Sequence, residues 1–257
     1  PLFQEYDSLY WLIAKCCAPD PADRFASTDE LRVQLLGVLR EVVARRTPGT
    51  ALTSAASVLF TSPAYAGGAL EWATLPTLRP DTSDAQYAFV TSITDPDPTS
   101  RLLALRHATS VTPEIHLARA DAQLRLGAPD QADAIAIEML REDPWEWRAL
   151  WVQGLSALVR GDWPAAQRAF NAVYRQVPGE LAPKLALALA CERGGLHDVA
   201  EGLYSTCAST DASYVAVAAF GKARVRAAKR DTTGAVEALD QVPTTSRGYP
   251  ESRRMRA

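Results

Sequence analysis

Small and apolar positions along the chain return in step every 34 residues between 113 and 246. One phase carries Gly127, Gly161 and Gly195, a second Ala132, Ala166 and Ala200, and a third Ala120, Gly154 and Ala188. Such a period means one supersecondary unit repeated, each copy too small to cover its own apolar face and therefore stacked on the next. Each copy is expected to hold two helices. Small side chains such as Gly154 and Ala166 fall where the two must cross closely, and the recurrent glycine ends the first helix in a left-handed conformation. Asp162 is placed to cap the second helix, with Pro164 tolerated in its first turn. Pro144 and Pro178 separate successive copies. The pattern therefore predicts an all-α solenoid with copies at 113–146, 147–180 and 181–214. A degraded fourth follows at 213–242, with Ala223, Ala235 and Leu239. Its turn is lengthened by Asp231-Thr232-Thr233-Gly234, and Pro243 closes its second helix early.

Outside the repeats the pattern changes. Residues 1–46 read as two helices, the first with Leu9, Leu12 and Ile13, the second with Leu31, Leu35, Leu39 and Val42 on one stripe. Ser27 with Glu30 three positions on starts the second as a capping box. Residues 47–82 are broken by Pro48-Gly49, Ser62-Pro63, Gly67-Gly68, Leu75-Pro76 and Arg79-Pro80. A connection of that length suits a tether laid across a surface, held by Leu59, Phe60, Trp72 and Leu75. An irregular lead-in at 83–112 is expected to form short helices at 84–93 and 99–110. The tail at 247–257 has Arg253, Arg254 and Arg256 but no apolar partners, and is expected to fray.

Composition narrows the function classes. The 257 residues carry a net charge of −3, with 47% hydrophobic and 22% charged side chains, enough for one large or two small packed units. The acidic balance argues against a nucleic-acid partner, and no apolar run approaches the ~20 residues of a membrane span. A first residue of Pro1, with no signal peptide, suggests a piece of something longer. Cys16, Cys17, Cys191 and Cys207 lack metal-site spacing; the last two fall at interior repeat positions, consistent with a reducing compartment. His107, His116 and His197 have no carboxylate at ligand spacing, so no metal site is expected. Arg106-His107 is followed by Ala108 where a kinase catalytic loop needs aspartate, and no D-F-G occurs. No catalytic or cofactor-binding residue is expected in this chain.

The 34-residue pattern, best in 147–180 with Gly154, Ala166, Phe170 and Pro178, resembles the tetratricopeptide repeat. That resemblance implies a concave groove lined by the first helices. The corresponding positions are Arg148, Trp151, Leu155, Leu158 and Val159, then Ala182, Leu185, Leu189, Glu192 and Arg193. Trp151 is either the anchor for a partner or a core residue. Members that bind chaperone tails carry a lysine and asparagine clamp; here those positions hold Leu117, Asp121, Val152, Ala182 and Ala186. Trp145 and Trp147 are expected to pack between repeats.

Residues 17–31 resemble the closing segment of a protein kinase C-lobe, with Asp20-Pro21-Ala22-Asp23-Arg24 matching D-P-x-x-R and Glu30-Leu31 following. In kinases the arginine matching Arg24 pairs with the glutamate of an A-P-E motif that this chain lacks. Arg24 is thus either structural, with a partner upstream, or a solvated loop residue. Without a kinase lobe, the two N-terminal helices must dock on the repeats, pair with a second copy, or stay mobile. A C-lobe end, a Pro-rich tether and tetratricopeptide repeats in that order resemble the soluble actinobacterial, including mycobacterial, serine/threonine protein kinase G family. The resemblance implies a parent enzyme that uses ATP and magnesium to phosphorylate a forkhead-associated-domain metabolic regulator. It implies a cytoplasmic location, with membrane association, secretion and virulence in pathogenic relatives. This chain would be the non-catalytic region that docks on its own kinase domain and forms a homodimer. The alternative is a stand-alone peptide-binding adaptor.

Overall fold

The computed structural model describes residues 5–47, 56–64 and 68–256. The expected breaks at Pro48, Gly49 and Gly67, and residues 50–55 of the tether, lie outside them. Among the described residues there are 13 α-helices and no strand. Two compact units divide the chain, 78–173 on one hand and 1–77 with 174–257 on the other.

The repeat pairs are α5 (Pro113–Arg125) with α6 (Pro129–Glu142), α7 (Trp147–Arg160) with α8 (Trp163–Gln176), α9 (Leu181–Arg193) with α10 (His197–Thr210), and α11 (Val215–Ala228) with α12 (Thr232–Asp240). First helices begin at Pro113, Trp147, Leu181 and Val215, successive starts 34 residues apart. The turns explain the constancy. Gly127, Gly161 and Gly195 have φ of 72°, 74° and 79°. After each, the next N–H reaches back five residues: Ala128 to the Gln123 carbonyl at 2.9 Å, Asp162 to Ala157 at 2.9 Å, Leu196 to Cys191 at 2.8 Å. This is the Schellman closure, which glycine makes without steric cost. Asp162 Oδ1 then accepts from the Ala165 N–H at 3.0 Å, capping α8. In the fourth pair one extra residue shifts the left-handed position to Arg230, φ 63°. The same closure forms from Asp231 to Arg226 at 2.9 Å, and the cost of ~1–2 kcal/mol for a side chain there is offset by Asp231 capping the Gly234 N–H at 2.8 Å.

In the 78–173 unit, Gly154 faces the Phe170 ring so closely that a Cβ would lie 2.5 Å from it. Ala120, Ala132 and Ala166 are buried alongside. The lead-in forms shorter helices than its pattern suggested: α3 (Tyr87–Ser92) and α4 (Pro98–Ala104), the latter capped by Asp97 and opened by Pro98. Val90 and Leu105 pack with Ile115 and Ala118 of α5.

In the other unit α1 (Asp7–Cys16) and α2 (Thr28–Arg46) dock on the repeats, α2 lying along α10. Ser27 Oγ accepts from the Glu30 N–H at 3.1 Å and caps α2, while Glu30 Oε2 accepts from the Ala26 N–H at 2.8 Å, so the return bond of the expected box lands one residue before the N-cap. The buried face of α2 is Gln34, Gly37, Val38, Glu41 and Ala44, about a third of a turn away from the expected leucine stripe. The tail does not fray. It forms α13 (Tyr249–Arg256), whose Arg253 and Arg256 pair with Asp240 at 3.5 and 2.8 Å. Tyr249 supplies the missing apolar contact, packing against the cluster that includes Phe220, Leu239 and Val242.

Candidate interaction surface

Three sets of contacts in the 1–77 and 174–257 unit hold α1, α2 and the tether against the repeats. Gly37 of α2 meets Gly179, just before α9, at backbone contact; a Cβ on Gly37 would fall 2.1 Å from the Gly179 carbonyl oxygen. The Gly179 N–H donates to Gln34 Oε1 at 2.8 Å. One turn on, Glu41 accepts from Ser8 Oγ at 2.8 Å and pairs with Lys184 Nζ at 3.2 Å. Ser8 also bonds the Tyr174 hydroxyl at 2.8 Å. Lys184, with 1% of its side chain exposed, donates in addition to the Pro178 and Glu180 carbonyls at 2.6 and 3.2 Å. Burial pushes the Tyr174 hydroxyl well above its ordinary value, and the nearby Glu41 charge adds to this.

The tether is held by hydrogen bonds at both ends. Ser57 Oγ donates to Glu180 Oε2 at 2.7 Å while accepting from the Leu59 and Phe60 N–H groups. Phe60, Leu70 and Leu75 are buried. Arg193 and Arg224 donate to the Leu70 and Gly68 carbonyls, and Arg224 is held in turn by Glu192 at 2.6 and 2.9 Å. Of the expected groove positions, Arg193 therefore meets the chain's own tether directly and Glu192 through Arg224. A cavity of about 160 Å3 remains beside Gly37, Ser57, Phe60, Glu180 and Tyr214, below the size that encloses most small ligands.

The other expected groove residues are mostly interior. Trp151 is 1% exposed and stacks edge-on against Phe170, with ring centroids 5.2 Å apart. Its anchor role gives way to the core alternative, because the glycine at 154 draws Phe170 in under the indole. Leu158, Leu185 and Leu189 are buried, as are Ala188 and Ala200, and Leu155 is half-buried. Arg148 is committed to Glu114 at 2.7 Å and Glu146 at 2.5 Å. Burial raises the Glu114 carboxyl above its usual range, opposed by the Asp81 N–H and the Arg148 charge. Trp145, expected between repeats, is exposed. Arg24 is exposed and donates to the Ala18 and Pro19 carbonyls at 2.8 and 3.4 Å, the loop reading of that residue.

What stays open is apolar. On α2, Leu35 and Leu39 are 47% and 52% exposed, and Leu36 and Val43 lie beside them. On α1, Tyr10 and Ile13 are also outward. The stripe read from the sequence exists, but it faces away from the repeats. The fold also does what linear spacing did not, bringing His116 beside Glu138 and Glu142, with ligand atoms within 4.8 Å of one another. No described helix is long and apolar enough to cross a membrane. All four cysteines are free, and burial pushes the Cys191 and Cys207 thiols up to about 11 and about 12.

Comparison with known proteins gives consistent results. The serine/threonine-protein kinase PknG of Mycobacterium leprae is 34% identical over 287 positions, covering 98% of this chain and 37% of that protein. The protein of the same name from Mycolicibacterium smegmatis is 32% identical over 285 positions, again covering 98% of this chain and 37% of the relative. The chain thus spans little more than a third of the length of these relatives. The family described as Protein kinase G tetratricopeptide repeat matches residues 70–257, well over half of the sequence, and the chain belongs to that family.

Proposed function

We propose that this chain is the non-catalytic interaction region of a longer serine/threonine protein kinase, and that the outward stripe of α1 and α2 seats the kinase domain of the same polypeptide. The observation that carries this reading is the division of labour on α2. Its small and polar face is used up by the repeats, while its leucines remain outward, and 63% of the relatives' length is not represented here. An exposed apolar strip adjoining missing chain marks a surface that another body covers. The resemblance of residues 17–31 to a C-lobe end supports the kinase domain as that body. By the same resemblance the parent transfers phosphate from ATP with magnesium to a forkhead-associated-domain regulator in the cytoplasm. The repeats contribute support and self-association. A stand-alone adaptor is the weaker reading, since Trp151, Leu185 and Leu189 are buried.

The test is titration calorimetry between this chain and a separately produced upstream kinase domain. Binding that is lost on Leu35→Asp/Leu39→Asp, with the chain's helicity unchanged, supports the reading. No heat of binding, together with self-association that the same pair of substitutions abolishes, makes a second copy the occupant and overturns it.

A further inference from the structure

We propose that His116, Glu138 and Glu142 bind a divalent transition metal of the zinc class, clasping the open end of the first repeat. His116 lies in the first turn of α5, and Glu138 and Glu142 stand one turn apart at the end of α6. In this hairpin those two ends come together opposite the Gly127 turn. The three ligand atoms all lie within 4.8 Å of one another. A tetrahedral site with bonds of about 2.0–2.2 Å needs its ligand atoms about 3.3–3.6 Å apart. Rotamer changes in two exposed glutamates cover that difference, while the buried imidazole stays fixed.

Two independent observations distinguish this from a chance group of surface charges. First, His116 is only 5% exposed, yet its ring has no hydrogen-bond partner among the described residues, and it points at both carboxylates. An imidazole nitrogen beside two carboxylates is a donor set for a metal. Second, Glu138 and Glu142 form a like-charge pair four residues apart at a helix C-terminus, where the repulsion and the helix dipole both disfavour them. A bound cation reverses both penalties. One nitrogen and two carboxylate oxygens suit zinc, cobalt or manganese, and three protein ligands leave a fourth position to water. Bound metal ties the start of α5 to the end of α6, next to the Asp143–Glu146 connection that leads into α7.

The experiment titrates the whole chain with cobalt(II) as a spectroscopic probe, then displaces it with zinc. The expected result is one equivalent of cobalt with visible ligand-field bands, no thiolate charge-transfer band, displacement by zinc, and a zinc-dependent rise in melting temperature. Glu138→Gln/Glu142→Gln should weaken binding by more than the roughly 10–100-fold cost of disturbing a ligand's outer partner. Because both glutamates are exposed and the substitution relieves their repulsion, that variant has a metal-free melting temperature at or above that of the parent chain, which separates loss of ligands from loss of fold. Absence of binding at millimolar cobalt, binding that survives the double substitution, a thiolate band, or equal competition by magnesium each overturns the proposal.

Discussion

Lys184 Nζ lies 3.2 Å from Glu41 Oε2, and both side chains are almost wholly withdrawn from water. The pair joins α2 to α9, 143 positions apart in sequence, and its remaining donors are taken by the Pro178 and Glu180 carbonyls. Breaking such a pair from one side leaves a buried charge and costs about 3–5 kcal/mol. Glu41→Ala is therefore expected to lower the denaturation midpoint strongly. Replacing both partners, as Glu41→Leu/Lys184→Met, restores most of the loss, and a double-mutant cycle by urea melts measures the coupling.

Two glycines in this chain should respond to alanine in opposite directions. Gly37→Ala places a methyl 2.1 Å from the Gly179 carbonyl oxygen, so α2 must lift from the repeats; hydrogen exchange over residues 28–46 is expected to accelerate. Gly202, within α10, has nothing within 4 Å of the added Cβ, and Gly202→Ala should stabilise by about 0.5–1 kcal/mol through the lower entropy of the unfolded chain. Thermal melts of both variants check the pair.

Trp151→Ala removes a buried indole from the Phe170 edge contact and is expected to cost about 3–5 kcal/mol. A variant that keeps its melting temperature but loses affinity for a partner would restore the groove-anchor role.

The repeats were legible because their period is imposed by turn geometry: each left-handed glycine recurs with its Schellman bond, and helix starts follow at 34-residue steps. The docking faces were not. The stripe of Leu35 and Leu39 was readable as amphipathic, but periodicity carries no information on what covers it, and close approach at Gly37 with charge pairing at Glu41 won the contact with the repeats. The groove positions read as open to a partner, whereas Arg193 among them donates to the tether's own Leu70 carbonyl. Linear spacing shows no carboxylate beside His116 because Glu138 and Glu142 come from the partner helix, 22 and 26 positions on.

Burial raises the Glu180 carboxyl above its ordinary 4.5, only partly opposed by the Ser57 hydrogen bond and the Lys184 and Arg40 charges. A carboxyl whose folded pKa exceeds its unfolded one adds stability that is complete below the unfolded value and is lost as pH rises through the folded one. Stability of the native chain should thus fall as pH rises from about 4.5, and Glu180→Gln should flatten that slope. Chemical denaturation across this range reads it directly.

Thiol modification should proceed in two classes. Cys17 is exposed and Cys16 half-buried, while Cys191 and Cys207 are buried with thiols pushed up to about 11 and about 12. An aromatic disulfide reagent at neutral pH is expected to titrate Cys17 and Cys16 in the folded chain and the other two only after unfolding, since the thiolate is the reactive form.

In the proposed arrangement α2 serves two bodies at once, the repeats on its small polar face and a kinase domain of the same polypeptide on its leucines. The most direct measurement is the melting temperature of Leu35→Asp/Leu39→Asp in this chain alone and in the full-length parent. The isolated chain should be unchanged or slightly stabilised, because both side chains already face water, while the parent loses several degrees. Equal, small shifts in both contexts would contradict the claim.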